Sequence, residues 1–153
     1  MKNYLREKKV LAVASGGGHW VQMLRIRAAF AHCDVSYVST NQEYAKDVEG
    51  RMFTVTDATM WNKLRLMRMF LQVAWIVWRV RPHVVISTGA APGFAAIVFG
   101  HLLGAKTIWI DSIANSETLS KSGQKAGGFA DIWLTQWQHL ESDKGPTFWG
   151  SVI

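Results

Sequence analysis

An uninterrupted apolar stretch that stops at three glycines constrains the fold more than any other part of the sequence. Residues 10–14 read VLAVA, and Gly16, Gly17 and Gly18 follow after one serine. A short apolar run of this kind is typical of a parallel strand that is buried on both faces. The glycines permit a tight turn with positive φ, and the apolar residues within 23–30 suit a helix. The segment therefore predicts a strand, a glycine loop and a helix.

The predicted glycine loop suits an anion such as a phosphate group. The first N–H groups of a helix lack backbone partners, and the helix dipole is positive at that end. We therefore predict that Gly16, Gly17 and Gly18 bind phosphate or an acceptor, although a βα turn in which glycine only eases packing has the same pattern. His19 begins the helix, where it could act as a general base, hydrogen-bond a phosphate or merely cap the turn.

Strand and helix patterns alternate along the chain, whose 153 residues suit one domain spanning 1–153. Further strands are predicted over residues 35–39, 52–56, 84–87, 106–110, 132–134 and 148–153. Helices are predicted over residues 62–81 and 94–103, with a short helix over 43–49 and a short polar helix or loop over 116–126. This order predicts an α/β fold with a Rossmann-like parallel sheet and helices on both faces. Ligands of such sheets bind beyond the carboxyl ends of the strands.

Two more loops are predicted at those carboxyl ends, over residues 88–93 and 111–115. The acceptor-binding candidates in them are Gly89, Pro92, Ser112 and Asn115. Asp111 directly follows a predicted strand, so its carboxylate is our second candidate for catalysis beside His19. Capping of the following helix is an equally good explanation for an aspartate at this place.

The helix predicted over residues 62–81 is apolar over most of its circumference, which a helix with one buried face does not need. At 100° per residue its first apolar band contains Leu66, Met69, Val73, Ile76, Val77 and Val80. Its second, outer band contains Leu64, Met67, Leu71, Trp75 and Trp78. Arginine and tryptophan suit the headgroup layer of a bilayer, so we predict these membrane-facing residues: Arg65, Arg68, Trp75, Trp78 and Arg79. Burial in the core or at a protein interface is the alternative.

Charge and composition narrow the choice of partners. The net charge is +6, and no acidic residue occurs between Asp57 and Asp111, which indicates a localised basic surface for an anionic membrane. Nucleic acid is not expected, because the aromatic residues of this region lie among aliphatic ones. We predict no metal site, since the adjacent side chains of residues 32–34 rarely converge on one ion. Residues 1–9 lack the apolar core of a secretory signal.

Three segments, taken in order, resemble one family of proteins. They read SGGGHWVQMLRI, VVISTGAAPGFAAIVFGHLLGAKTIWIDSIANSETLSKSGQ, and ADIWLTQWQHL with FWGSVI after it. The set resembles the subunit that anchors the two-component UDP-N-acetylglucosamine transferase of dolichol-linked oligosaccharide synthesis, together with its bacterial exopolysaccharide relatives. The resemblance covers nearly the whole chain.

The resemblance implies the N-terminal, acceptor-binding half of a GT-B glycosyltransferase. A small catalytic partner subunit would hold most of the UDP-sugar donor, so this chain alone would bind no cofactor. The acceptor would be a polyprenyl-pyrophosphate-linked saccharide, and the protein would lie peripherally on the cytoplasmic face of the membrane. His19 matches the histidine that ends the family's glycine loop, whereas Asp111 stands where relatives often have glutamate.

Two other kinds of protein remain compatible with the residues. A stand-alone nucleotide- or phosphate-binding Rossmann enzyme would bind its ligand without a partner. A structural adaptor would tolerate the loss of His19 and Asp111.

Overall fold

Seven parallel strands form one sheet in the computed structural model, which describes residues 8–152. The strands are β1 (Lys9–Ala14), β2 (Asp34–Ser39), β3 (Arg51–Thr54), β4 (Val84–Gly89), β5 (Lys106–Ile110), β6 (Ile132–Thr135) and β7 (Thr147–Phe148). Their order across the sheet is β3-β2-β1-β4-β5-β6-β7, with every neighbouring pair parallel. The chain thus winds outward from β1 to one edge and from β4 to the other. This doubly wound, Rossmann-like arrangement confirms the predicted fold class.

Helices cover both faces of the sheet. They are α1 (Gly18–Ile26), α2 (Lys63–Val80), α3 (Ala90–Leu102) and α4 (Lys121–Ala126), with 3₁₀ turns at Arg27–Phe30, Gln42–Asp47 and Gln138–Leu140. The bounds of α2 follow from its sequence. The Asn62 side chain accepts a hydrogen bond from the Arg65 backbone N–H at 3.1 Å and caps the start. Arg81 ends the helix in the left-handed conformation, directly before Pro82.

The two faces of β1 belong to two different apolar clusters. Leu11 and Val13 pack with the inner residues of α2 and α3, whereas Val10, Ala12 and Ala14 pack with α1. Successive side chains of a strand point to opposite faces, so a strand between two helical layers must be apolar at every position. The uninterrupted VLAVA run is the consequence.

The two apolar bands of α2 differ in burial, as the helical periodicity predicts. The first band lies in the core and is the inner band, with Met69, Val73, Ile76, Val77 and Val80 buried. Every member of the outer band is exposed, from Leu64 at 82% to Trp75 at 54%. Folding of the described residues therefore uses only one of the two bands.

Two predicted elements are wrong. Residues 88–93 do not form a loop, because β4 continues to Gly89 and α3 begins at Ala90. Proline fits the first turn of a helix, where its missing N–H would have no intrahelical partner, so Pro92 does not delay the helix. The last strand does not span residues 148–153, since β7 ends at Phe148. Side-chain hydrogen bonds to Gln136 hold Ser151 and Val152 instead.

The structure does not describe residues 1–7 or Ile153, so the expectation about a secretory signal lies largely outside the described residues. Within residues 8–152, no helix has the length and apolar character needed to cross a bilayer.

Candidate functional site

The candidate site lies where the winding of the sheet reverses, between the carboxyl ends of β1 and β4. Helices α1 and α3 begin at these two strand ends, and neither has a side-chain cap. Gly17 stands directly before α1 with φ 64° and ψ −133°, a conformation that favours glycine. Open α/β sheets bind their ligands in the crevice at such a reversal.

His19 is held at this crevice by a pair of hydrogen bonds with Thr88. Its ring Nδ1 donates to the Thr88 carbonyl oxygen at 3.0 Å, and the Thr88 hydroxyl donates to the His19 carbonyl oxygen at 2.7 Å. A carbonyl oxygen can only accept, so Nδ1 carries the hydrogen and Nε2 of the neutral ring is an acceptor. No described residue hydrogen-bonds Nε2. The geometry thus leaves a half-buried histidine with one basic nitrogen free.

Two backbone features create the space for this histidine. Val13 pairs with Ser87 and Ala14 with Gly89, so Thr88 lies in a bulge with no partner on β1. Gly89 has φ 138°, and a Cβ at this position would lie 2.4 Å from His19 Nδ1. Gly89, a predicted acceptor-binding residue, therefore makes room for the His19 ring.

Tyr44 is a member of the site that the sequence did not suggest. Its hydroxyl accepts a hydrogen bond from the Gly17 backbone N–H at 3.1 Å. The ring stacks on Trp20 with centroids 4.9 Å apart, and Trp20 in turn donates from Nε1 to Asp47. This aromatic pair attaches the glycine loop to the segment after β2. Neither Tyr44 nor Thr88 belongs to a recognisable motif, so only the three-dimensional arrangement identifies them.

Asp111 does not have the geometry of a catalytic base. It is 1% exposed, and its Oδ1 accepts hydrogen bonds from the Trp109 ring Nε1 at 3.2 Å and from the Ser120 hydroxyl. Oδ2 accepts from the Ser120 backbone N–H at 2.9 Å. The carboxylate thus connects the end of β5 to the residue that caps α4. A buried carboxylate with both oxygens engaged is not placed to reach an acceptor, which contradicts the predicted catalytic role. Asp111 does not cap α4 itself either, because the N-cap of that helix is Ser120.

The remaining predicted acceptor-binding residues are partly enclosed. Ser112 is buried and accepts a hydrogen bond from the Gln22 amide at 3.2 Å, while Gln22 also accepts one from Gln136 at 2.9 Å. Pro92 is buried in the first turn of α3, and Asn115 is half-buried in the loop after β5. Around His19 the structure therefore brings together the glycine loop and Gly89, but not Pro92 or Ser112 as accessible groups. Within residues 8–152, no three His, Cys, Asp or Glu side chains form a metal-binding group.

The five predicted membrane-facing residues all lie on the surface. Trp75 and Trp78 are 54% and 56% exposed. Arg65, Arg68 and Arg79 are exposed as well, and among residues 8–152 their guanidinium groups have neither an ion pair nor a hydrogen bond. This surface therefore combines apolar side chains with unneutralised positive charge.

The fold and the crevice define the class of protein: a Rossmann-like domain that matches the N-terminal half of GT-B glycosyltransferases. Its sequence from residue 48 to residue 152 matches the family described as "Oligosaccharide biosynthesis protein Alg14 like", and the chain belongs to this family. The family resemblance noted in the sequence is thereby confirmed. The matched region does not include the glycine loop or His19, whose roles rest on geometry.

Solved structures share the fold at low sequence identity. MurG of Acinetobacter baumannii superposes with a TM-score of 0.75 at 13% identity, covering 92% of this chain and 45% of MurG. UDP-N-acetylglucosamine 2-epimerase of Rickettsia bellii superposes with a TM-score of 0.72 at 12% identity, covering 95% of this chain and 45% of the epimerase. A glycosyltransferase of Rickettsia africae superposes with a TM-score of 0.62 at 13% identity, covering 94% of this chain and 43% of the glycosyltransferase. The chain thus spans less than half the length of each of these proteins. Comparison with curated protein sequences gives no significant match.

Proposed function

We propose that the chain is the acceptor-binding subunit of a two-component UDP-sugar glycosyltransferase. Its acceptor is a polyprenyl-pyrophosphate-linked saccharide at the cytoplasmic face of the membrane, and a partner subunit holds most of the UDP-sugar. The observation that carries the proposal is the free Nε2 of His19, fixed beside an uncapped helix start at the reversal of the sheet. Membership in an oligosaccharide biosynthesis family supports the choice of reaction.

His19 acts as the general base in the proposed reaction. Because Nδ1–H donates to the Thr88 carbonyl, the ring presents its Nε2 lone pair to an acceptor hydroxyl. As Nε2 takes the hydroxyl proton, the acceptor oxygen bonds to the anomeric carbon of the donor sugar, and the bond from that carbon to UDP breaks on the opposite side. UDP leaves with the bonding electron pair, and the anomeric configuration inverts. The Thr88 carbonyl stabilises the positive ring that results.

The start of α1 binds the negatively charged phosphates of the acceptor. The N–H groups of the first turn have no side-chain cap, and the dipole of the helix favours an anion there. Tyr44 already occupies the Gly17 N–H, which leaves the first N–H groups of α1 itself for a phosphate oxygen. A pyrophosphate-linked acceptor places its phosphates close to its first sugar, so one short crevice serves both groups.

The outer face of α2 provides the contact with the membrane. Exposed tryptophans with arginines beside them fit the headgroup layer, where each basic residue contributes about 1 kcal/mol at an anionic surface. Arg65, Arg68 and Arg79 together give about 3 kcal/mol, or roughly a hundredfold in affinity for anionic over neutral vesicles.

Co-expression tests this function. The chain alone should show little transfer of sugar from UDP-sugars to a polyprenyl-pyrophosphate-linked acceptor, and adding the partner subunit should restore it. With the partner, His19→Ala should lower kcat by about a hundredfold to ten-thousandfold, the usual contribution of a general base. His101→Ala, at the far end of α3, is the matched control and should leave kcat unchanged. Full turnover by the isolated chain, or equal kcat for the two variants, would refute the proposal.

A stand-alone enzyme is the second candidate, because the fold also resembles a UDP-N-acetylglucosamine 2-epimerase. Titration calorimetry of the isolated chain with UDP-sugars and nicotinamide cofactors separates the two candidates. Tight binding without a partner favours the stand-alone enzyme.

A further inference from the structure

The outer band of α2 forms one wall of a groove whose ligand the function proposed above does not specify. Its volume is about 600 Å³, within the range of small-molecule sites. Most of its lining is apolar: Phe53 at the end of β3, and Leu64, Met67, Leu71, Trp75 and Ile76 of α2. The groove therefore suits a hydrocarbon ligand.

The groove begins at the same edge of the sheet as His19. Thr54 is the last residue of β3, and His19 follows the end of β1, two strands away. Neighbouring strands lie about 4.8 Å apart, so the lateral separation of these two strand ends is about 10 Å. Because α1 and α2 cover opposite faces of the sheet, a ligand with its head at the glycine loop would reach the groove around the carboxyl edge of the sheet.

The polar groups of the groove favour an amphiphile with an anionic head. Arg68 lines it and has no ion pair among the described residues, and no acidic residue occurs from residue 58 to residue 110. The Gln72 Oε1 already accepts a hydrogen bond from the Thr56 backbone N–H at 2.7 Å.

We propose that this groove binds the prenyl chain of the acceptor lipid, so that the chain contributes to acceptor recognition as well as to anchoring. The inference rests on the proposed function, which names a polyprenyl acceptor. A prenyl chain carries branch methyls and double bonds, so it has fewer free rotors than a straight alkyl chain and loses less entropy when it is ordered. The groove therefore selects the acceptor over straight-chain lipids.

Titration calorimetry with soluble ligands tests the groove without a membrane or a partner. The full chain is titrated with farnesyl phosphate below its aggregation concentration, with dodecyl phosphate of the same main-chain length, and with inorganic phosphate. Farnesyl phosphate should bind most tightly and inorganic phosphate most weakly. Leu71→Trp places a bulkier side chain in the groove lining, and it should weaken farnesyl phosphate binding about tenfold, which corresponds to about 1.4 kcal/mol.

Leu102→Trp is the matched control. Leu102 is as exposed as Leu71, 67% against 66%, and it lies at the far end of α3 outside the groove. This variant should bind farnesyl phosphate like the wild type. Leu71→Trp should still bind anionic vesicles, because tryptophan also suits the headgroup layer. Retained vesicle binding with weakened farnesyl phosphate binding assigns the effect to the groove.

Several results would overturn the inference. One is that farnesyl phosphate does not bind, and another is that dodecyl phosphate binds as tightly as farnesyl phosphate. A third is that Leu71→Trp and Leu102→Trp have equal affinities for farnesyl phosphate. Sedimentation showing a dimer that Leu71→Trp dissociates would make a second copy the occupant instead. The proposed function fails separately, through the co-expression assay, in which neither leucine variant is used.

Discussion

Replacing Gly89 by alanine tests the contact that fixes His19. At φ 138° and ψ −178° the backbone is in a region that other residues avoid, at a cost of about 1–3 kcal/mol. The added methyl would also lie 2.4 Å from His19 Nδ1, and forcing a methyl into a filled space costs about 1–3 kcal/mol more. Gly89→Ala should therefore lower the free energy of unfolding by about 2–6 kcal/mol, a large share of the 5–15 kcal/mol typical of a domain.

Urea denaturation followed by circular dichroism measures this loss. Gly18→Ala is the control, because a Cβ at Gly18 meets nothing within 4 Å and φ there is not positive. It should change the free energy of unfolding by no more than about 0.5 kcal/mol or raise it slightly. Equal stabilities of the two variants would refute the geometry of the site.

A double substitution separates the two causes. His19→Ala removes the ring that the new methyl meets but leaves the backbone conformation of Gly89 unchanged. Gly89→Ala combined with His19→Ala should therefore be less destabilised than the sum of the single variants, by about 1–3 kcal/mol. Additive effects within about 0.5 kcal/mol would mean that the His19 ring does not lie against Gly89.

Three further outcomes follow from other parts of the molecule. Asp111→Asn should lower the free energy of unfolding by about 1–3 kcal/mol in urea denaturation, because an amide cannot accept all the hydrogen bonds that Ser120 and Trp109 donate. The pKa of Asp131 is lowered below its ordinary 3.8, mainly by the hydrogen bond from the Thr107 backbone N–H. The unfolded state then binds this proton first as the pH falls, so the stabilisation is present above pH 3.8 and is lost as the pH falls toward the folded-state pKa. The midpoint of urea unfolding measured from pH 6 downward should fall less steeply for Asp131→Asn. Trp75→Glu with Trp78→Glu should reduce sedimentation with anionic vesicles, and unchanged binding would remove α2 as the membrane face.

The layers of the fold could be predicted from the sequence, because burial leaves a periodic trace. A strand between two helical layers is apolar throughout, as residues 10–14 are, and the two bands of α2 follow from its 100° period. The sequence does not predict the start of α3 at Ala90, because proline and glycine after Gly89 suggest a loop. Proline also fits the first turn of a helix, and the sequence does not distinguish these two uses.

The site was predictable only where a local motif identifies it. The glycine loop and His19 are contiguous, so the strand–loop–helix pattern suffices to find them. The Thr88 bulge depends on how β4 pairs with β1, 69 residues away from His19 along the chain. The enclosure of Asp111 depends on Ser120 folding back over it. Such contacts leave no trace in the spacing of residue types.

The polar residues of this chain differ in whether hydrogen bonds within the protein engage all of their polar atoms. Asp111 has both oxygens engaged inside the protein, so it serves the fold. His19 uses one nitrogen to fix its ring and keeps the other, and the guanidinium of Arg68 has no partner among the described residues. The apolar residues of α2 differ in a similar way, because one band is buried in the core and the other is exposed. Exposed apolar and unpaired basic side chains lie side by side on this helix, which supports the amphiphilic ligand proposed above.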